Sequence, residues 1–437
     1  MMHLKIRHPL IAGLLVTLLL GACSNKKEAS LESGGVASSN NSSSAGEAIE
    51  NESNAIPADI TEAGGKVLLV KGFNLYSWEL DATEVLEAEN IDPNQMYFTP
   101  DNEYLLYSIR SEEDRRQILD IEMMHVASGV KTHLTRVEGR FARPAPNWWL
   151  HNADTERGWF VIGLWTGRQD SILVKSDGSQ RFDLGSTNNL QPIWLADDTL
   201  LGIEYDWNQL AQLNELSRVW RFDPAIGALQ VMDDLDVAQY QDNWGGLIAA
   251  LESRGLQFAE PPLDPNSEGF FPDGLETTPV DGNWSDICNV WTVRQHNGET
   301  TTTIYESGDV AQITGVIPLP DGSYLVGERT YTDCDIDLPT ANLRRVMPDG
   351  DAVLLTDTLD PGVDGFGFGA GWNLSVSPDS RYLLWIGGGI LTGESTLNLT
   401  DLTTNTTTVL RHEAFDIVRD GSVGEATRYK RVHWITS

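Results

Sequence analysis

Three groups of side chains in this 437-residue chain have types and spacings that could do chemistry. The first lies in Asp264-Pro265-Asn266-Ser267-Glu268-Gly269. Asp264, Asn266 and Glu268 offer oxygen ligands at alternate positions, and Gly269 permits the tight wrap that Ca²⁺ requires. Leu275 occupies the twelfth position of that pattern and Glu276 comes one residue late, so a solvated acidic turn competes with a closed Ca²⁺ loop. The second group is Asp333, Asp335 and Asp337. An extended segment aims alternate residues to one side, where a divalent cation would relieve their repulsion; the competing reading is a water-exposed loop. The third is Arg110, Arg115 and Arg116 in RSEEDRRQ, together with Trp207 in DWNQLAQLNELS. Those guanidinium groups could take a carboxylate bidentately, or they could pair with the acids around them. Beyond candidate Ca²⁺, no cofactor is expected.

Catalytic constellations are largely missing. The chain contains no G-x-S-x-G elbow, H-E-x-x-H, P-loop or C-x-x-C, the spacings that assemble a nucleophile, a zinc site, a phosphate cradle or a redox pair. Of eight histidines, His3 and His8 lie in the N-terminal leader, and the other six (125, 133, 151, 296, 412 and 433) are scattered without ligand spacing and read as strand or turn residues. Lys and Arg number 30 against 64 Asp and Glu, a formal charge of −34. A nucleic-acid binder needs the opposite sign to displace counterions from phosphate, and electrostatic docking on anionic lipid is disfavoured for the same reason.

The N-terminus carries an address. Lys5 and Arg7 precede an apolar run from Leu10 to Leu20, which ends at Leu20-Gly21-Ala22-Cys23. The run is too short to cross a bilayer, which takes about 20 apolar residues, and it suits a secretory signal. Its end resembles the lipobox of bacterial lipoproteins. That resemblance implies cleavage after residue 22, lipidation of Cys23 and a membrane held through acyl chains rather than charge. Ser24 follows the cysteine, so the resemblance favours the outer membrane, facing either the periplasm or the surface. Export leaves Cys288 and Cys334, a pair able to form one disulfide in an oxidising compartment, with two separate buried thiols as the alternative.

Residues 23–60 are rich in Ser, Asn, Glu, Gly and Ala and contain no aromatic, so they cannot bury a core and read as a tether. From 61 to 437 the pattern is short β-rich runs broken by Asp, Gly, Asn and Pro, as in sandwiches, barrels and propellers. A hairpin recurs: MYFTPDNEYLLYSIR (96–110), IWLADDTLLGIEYD (193–206), VIPLPDGSYLVGERT (316–330) and LSVSPDSRYLLWIG (374–387). Pro presets the first turn angle and Asp or Gly accepts the next, so each turn is encoded locally. A second hairpin follows most of these, making four strands per repeat. An inner strand ends the chain at 431–437, and Lys66–Val70 starts it as a second strand without a first. One blade should therefore be assembled from both ends, which removes an open sheet edge.

Segments Ser377-Pro378-Asp379-Ser380-Arg381-Tyr382 and Leu319-Pro320-Asp321-Gly322-Ser323-Tyr324 resemble TolB-type (WD-like) β-propeller repeats. What the resemblance implies is the fold, an all-β propeller; the repeats and the shared closing blade over 61–437 count seven blades, with six as the alternative count. Short turns should fall on one rim and the longer connections on the other, among them 110–117, 206–217, 331–340 and an insertion at about 237–283 that holds a short helix. Loops lengthened on a rigid scaffold are where binding concentrates. The expected function is accordingly a non-enzymatic, membrane-anchored module that binds an envelope protein or other ligand. The alternative is a periplasmic enzyme acting on glycans or peptides.

Overall fold

The computed structural model describes residues 66–435 except 81–82, 100, 114–115, 140–145, 167, 187–188, 209–212, 242, 261, 263–274, 281–288, 298–299, 309–310, 331–339, 358, 360–373, 390–393 and 415–428. These residues form seven antiparallel sheets taken up in chain order. Sheet I contains β1 (Lys66–Lys71), β2 (Asn74–Trp78), β3 (Val85–Ala88) and, from the far end of the chain, β27 (Tyr429–Ile435). Sheet II contains β4 (Ile91–Phe98), β5 (Tyr104–Glu113), β6 (Arg116–His125) and β7 (Lys131–Glu138). Sheet III is β8 (Asn147–Asp154), β9 (Trp159–Trp165), β10 (Gln169–Lys175) and β11 (Arg181–Gly185). Sheet IV is β12 (Leu190–Trp194), β13 (Leu200–Asn208), β14 (Leu213–Asp223) and β15 (Ala228–Val231). Sheet V shows three strands among the described residues, β16 (Leu275–Pro279), β17 (Trp291–Asn297) and β18 (Thr300–Glu306). Sheet VI is β19 (Ala311–Pro318), β20 (Tyr324–Thr330), β21 (Thr340–Val346) and β22 (Ala352–Thr356). Sheet VII is β23 (Leu374–Val376), β24 (Tyr382–Gly389), β25 (Glu394–Asp401) and β26 (Thr406–Ala414).

The apolar clusters show how the sheets are ordered in space. Leu68, Val70 and Leu75 of sheet I pack against Leu105 and Tyr107 of sheet II. Leu106 and Ile121 of sheet II meet Trp148, Phe160 and Ile162 of sheet III, and Val161 and Leu173 of sheet III meet Leu200 and Trp220 of sheet IV. The same relation joins V to VI through Val293 and Val326, and VI to VII through Leu343 and Leu383. Sheet VII then packs back on sheet I, where Leu384 and Leu397 meet Val67, Trp78, Val432 and Trp434. Six of the seven junctions are thus packed face to face, with the last sheet returned to the first, while the far face of sheet IV packs on α1 in the described residues; this succession is that of a β-propeller.

Closure is a backbone ladder. β27 pairs antiparallel with β1, from Lys66 opposite Ile435 to Lys71 opposite Tyr429. The two ends of the body thus share one sheet, as the strand pattern predicts. Turn chemistry is equally local. Asp101, Asp197, Asp321 and Asp379 each accept a backbone N–H two residues on. The intervening Asn102, Asp198, Gly322 and Ser380 all take positive φ, between 58° and 82°, a region that Asn, Asp and Gly tolerate.

The insertion contributes α1 (Trp244–Ser253), the helix expected there. Asn243 caps it by accepting the Gly246 N–H at 2.9 Å, and Gly255 ends it at φ 84°. Leu247 and Leu251, one turn apart, bury against Leu201 and Ile203 of β13, on the face of sheet IV turned away from sheet III.

Two of the expected loops differ from expectation. Residues 110–117 and 206–217 are largely strand: β5 and β6 stay paired out to Glu113 opposite Arg116, and β13 and β14 out to Asn208 opposite Leu213. These are hairpins prolonged past the expected turns, carried by cross-strand pairs; in the first, Ser111, Glu112, Glu113 and Arg116 are exposed.

Candidate functional site

Strands in each sheet alternate in direction, so every inner strand starts at the rim where second strands turn into third strands. β15, β20, β22 and β26, each followed by a long connection, all end at that rim, but the connection after β15 crosses to the other side, where the Ala196 N–H donates to the Gln257 carbonyl and Leu195 bridges Phe258 at the first turn of sheet IV. β17 begins at that rim as well: Ser307 Oγ accepts the Trp291 N–H at 2.9 Å and donates to the Ala311 carbonyl at 2.7 Å, so β17 and β19 begin side by side. The opposite rim holds the short Asp turns.

At the elaborated rim, sheet III ends in a row of three residues. Asn147 starts β8, Trp165 ends β9 and Gln169 starts β10, and their Cα atoms are direct cross-strand partners. Direct partners present their side chains on the same sheet face. Trp165 is 40% exposed although it closes the otherwise buried strand WFVIGL. Two residues back, Gly163 allows the Trp149 indole to lie on the strand, because a Cβ there would come within 2.2 Å of the ring. The same device recurs in sheet IV, where Trp220 lies over Gly202.

Asn147 is held from beneath. Ser108 Oγ donates to Gln95 Oε1 at 3.2 Å, Gln95 Nε2 donates to Asn147 Oδ1, and the Trp148 N–H donates to the same oxygen at 2.8 Å. Ser108 and Gln95 are buried while Asn147 is exposed. With Oδ1 accepting twice, the Asn147 carboxamide has its Nδ2 hydrogens left to donate, beside Trp165. Gln95 reaches it because β4 leaves the ladder: five steps from Ile91 to Met96 oppose only two from Ile109 to Tyr107. Such bulges re-aim side chains at sheet margins. Arg431 of β27 fastens the bulge by donating from Nε to the Pro93 carbonyl at 2.8 Å.

Arg110 pairs with the buried Asp92 at the start of that bulge. Arg116 pairs with Glu138 at 3.3 Å, and Glu113 with Arg136 at 2.6 Å. RSEEDRRQ is therefore tied to the flanking strands β4 and β7 more than to itself. Arg115 lies outside the described residues, and of Trp207 only the backbone, in β13, is described. Cys23, Cys288, Cys334, Asp264, Asn266, Glu268, Asp333, Asp335 and Asp337 also lie outside them. Among the described residues, no group of three or more His, Cys, Asp or Glu is placed to hold a metal, and no helix is long and apolar enough to cross a membrane.

Burial sets the protonation of the inner strands. It pushes the His433 imidazole down to about 4, with the ring 3.8 Å from that of Phe98, and His151 also to about 4. His151 is neutral at pH 7 and accepts at Nε2 from the Trp149 indole N–H at 3.0 Å. Burial raises Tyr97, whose ring meets Trp148 edge-on at 4.9 Å. Two buried carboxylates serve the sheets themselves. Glu204 takes Arg218 on both oxygens together with the Trp220 indole N–H. Glu328 takes Arg344 at 2.6 Å and the Tyr305 hydroxyl at 2.6 Å.

Sheet V carries a chain that the scattered histidines concealed. Glu276 Oε2 lies 2.6 Å from His296 Nε2, and His296 Nδ1 lies 3.0 Å from Thr301 Oγ1. Carboxylate, imidazole and hydroxyl in series can relay a proton. His296 and Thr301 are cross-strand partners, and Glu276 sits on the other neighbouring strand. Register brings them together, and nothing in their sequence spacing announces it.

No family model matches the chain. No curated protein matches it either. Solved structures similar to it include the β-propeller domain of the Trilobed protease from Pyrococcus furiosus, at 10% identity and TM-score 0.36, covering 77% of this chain and 89% of that one. Prolyl oligopeptidase B from Galerina marginata, bound to a 35mer substrate, is 12% identical at TM-score 0.36, over 84% of this chain and 56% of its own. The chain thus spans little more than half the length of that peptidase. An oligogalacturonate lyase in complex with manganese is 15% identical at TM-score 0.25, covering 77% and 69%. The propeller assignment stands on sheet order and closure.

Proposed function

We propose that this chain is a lipid-anchored, non-enzymatic propeller of the bacterial cell envelope that holds a protein or other ligand on its elaborated rim. One observation carries the reading. The relay Ser108–Gln95–Asn147 sets an exposed donor beside an exposed tryptophan, on the rim where the connections lengthen. Supporting a surface amide with buried partners is how binding sites are preorganised. The Lys5–Cys23 segment supports export and an acyl anchor, most simply in the outer membrane.

Crosslinking and pull-down from intact cells test the binding role, comparing the full chain with Trp165→Ala and with Asn147→Ala. Partners or ligands lost in either variant support it, and an unchanged set in both refutes it. For the anchor, Cys23→Ser should move the protein from the detergent phase to the aqueous phase; a variant that stays with the membrane refutes lipidation. A second reading, an enzyme acting on glycans or peptides, is favoured by the Glu276–His296–Thr301 chain. Turnover abolished by His296→Ala would establish it.

A further inference from the structure

The row at the rim of sheet III has the composition of a sugar reader, and we infer that the ligand of this site is a neutral oligosaccharide. The inference rests on the rim-binding reading above and names its ligand class. Asn147, Trp165 and Gln169 stand side by side on three adjacent strands, so the row spans about 10 Å at the usual strand spacing. An indole face between two planar carboxamides matches a pyranose. The C–H face of the ring stacks on the indole as apolar surface. Vicinal hydroxyls, each both donor and acceptor, meet carboxamides that offer both functions.

Three features separate this row from an ordinary strand end. Trp165 is exposed, whereas Phe160, Val161, Ile162 and Leu164 of the same strand are buried. The Asn147 carboxamide is oriented before any ligand arrives, by the buried Gln95 and by the Trp148 N–H. The Trp149 indole lies over Gly163 two residues along, extending the aromatic floor, and is itself oriented by its bond to His151. Charge then narrows the class. None of the three residues of the row is ionisable, and a protein at −34 repels polyanionic glycans at long range. Acidic polysaccharides are thereby disfavoured against neutral hexose or N-acetylhexosamine chains.

The test is titration of the full-length protein with chitotetraose, cellotetraose and maltotetraose, followed by tryptophan fluorescence and by calorimetry. At least one should saturate, with a Kd of about 1 mM or tighter. Trp165→Ala should weaken binding at least about tenfold, Trp165→Phe less, and Asn147→Ala and Gln169→Ala roughly three- to tenfold each. Equal urea midpoints for the variants show that the sheet is intact. Should no neutral saccharide saturate, or should Trp165→Ala bind as the parent does, the inference is overturned. The two readings fail separately. A protein partner captured through Trp165 with no saccharide bound keeps the rim site and removes its sugar specificity, whereas loss of neither sugar nor partner in the variants removes both.

Discussion

Acid should loosen this protein well above the pH at which its carboxylates protonate. The cause is two buried imidazoles, His151 on β8 and His433 on the closing strand β27, each held neutral down to about 4 against an ordinary value of 6.5. Between those values the unfolded chain takes up two protons that the folded chain declines. Their contribution to stability is fully present above 6.5, falls as the pH drops through that window, and is spent below about 4. A difference of that size is worth about 3 kcal/mol per imidazole in the limit, and about 2 kcal/mol at pH 5. Both residues keep a partly accessible edge, so about 1–2 kcal/mol each is the working figure. The acidic surface opposes this trend, because protonating part of its charge relieves self-repulsion. A difference measurement separates the two effects. Urea unfolding, read by the 14 tryptophans, is compared at pH 7 and pH 5 for the parent and for His151→Gln/His433→Phe. Gln keeps an acceptor for the Trp149 indole, and Phe keeps a ring on Phe98. The parent should lose about 2–4 kcal/mol more than the double variant over that interval. An identical pH dependence in both proteins would refute the argument.

Two further outcomes follow from the packing, and a third is proposed from the cysteine count of the sequence alone. Gly202→Ala would set a methyl group 2.1 Å from the Trp220 ring and should cost about 1–3 kcal/mol by overpacking; a urea midpoint equal to the parent's contradicts it. Glu204→Ala strips the buried Trp220 N–H and the half-exposed Arg218 of their shared partner, and should cost about 2–3 kcal/mol, seen as a lower thermal midpoint. Thiol titration of the unfolded, unreduced protein should find Cys288 and Cys334 blocked, and reduction should remove about 2–4 kcal/mol of stability; two free thiols before reduction exclude the bridge.

Local chemistry made much of the fold legible. The turns centred on Asp101, Asp197, Asp321 and Asp379 need only neighbours two residues away, so they can be read from the chain. Closure could be read as well, because Arg431–Ile435 carries an inner-strand pattern with no partner of its own and Lys66–Val70 lacks the strand before it. The prolonged hairpins look like loops in the sequence for a physical reason. Glu112 opposite Gln117 and Glu113 opposite Arg116 bury nothing, so the alternation of apolar and polar residues that marks a half-buried strand is missing there. Arg110 was visible as a candidate, but its partner Asp92, 18 residues earlier, depends on the bulge in β4.

The linear chain determined the strand–turn rhythm and the joining of β27 to β1, since each depends on contiguous residues or on one repeated pattern. Tertiary structure alone decided which side chains become neighbours. Asn147, Trp165 and Gln169 form a row, Glu276, His296 and Thr301 form a relay, and Gln95 supports Asn147 from 52 residues away. The reason is register: a shift of one residue between adjacent strands sends every side chain to the other face, and register is set by packing across the whole ring rather than by any single segment.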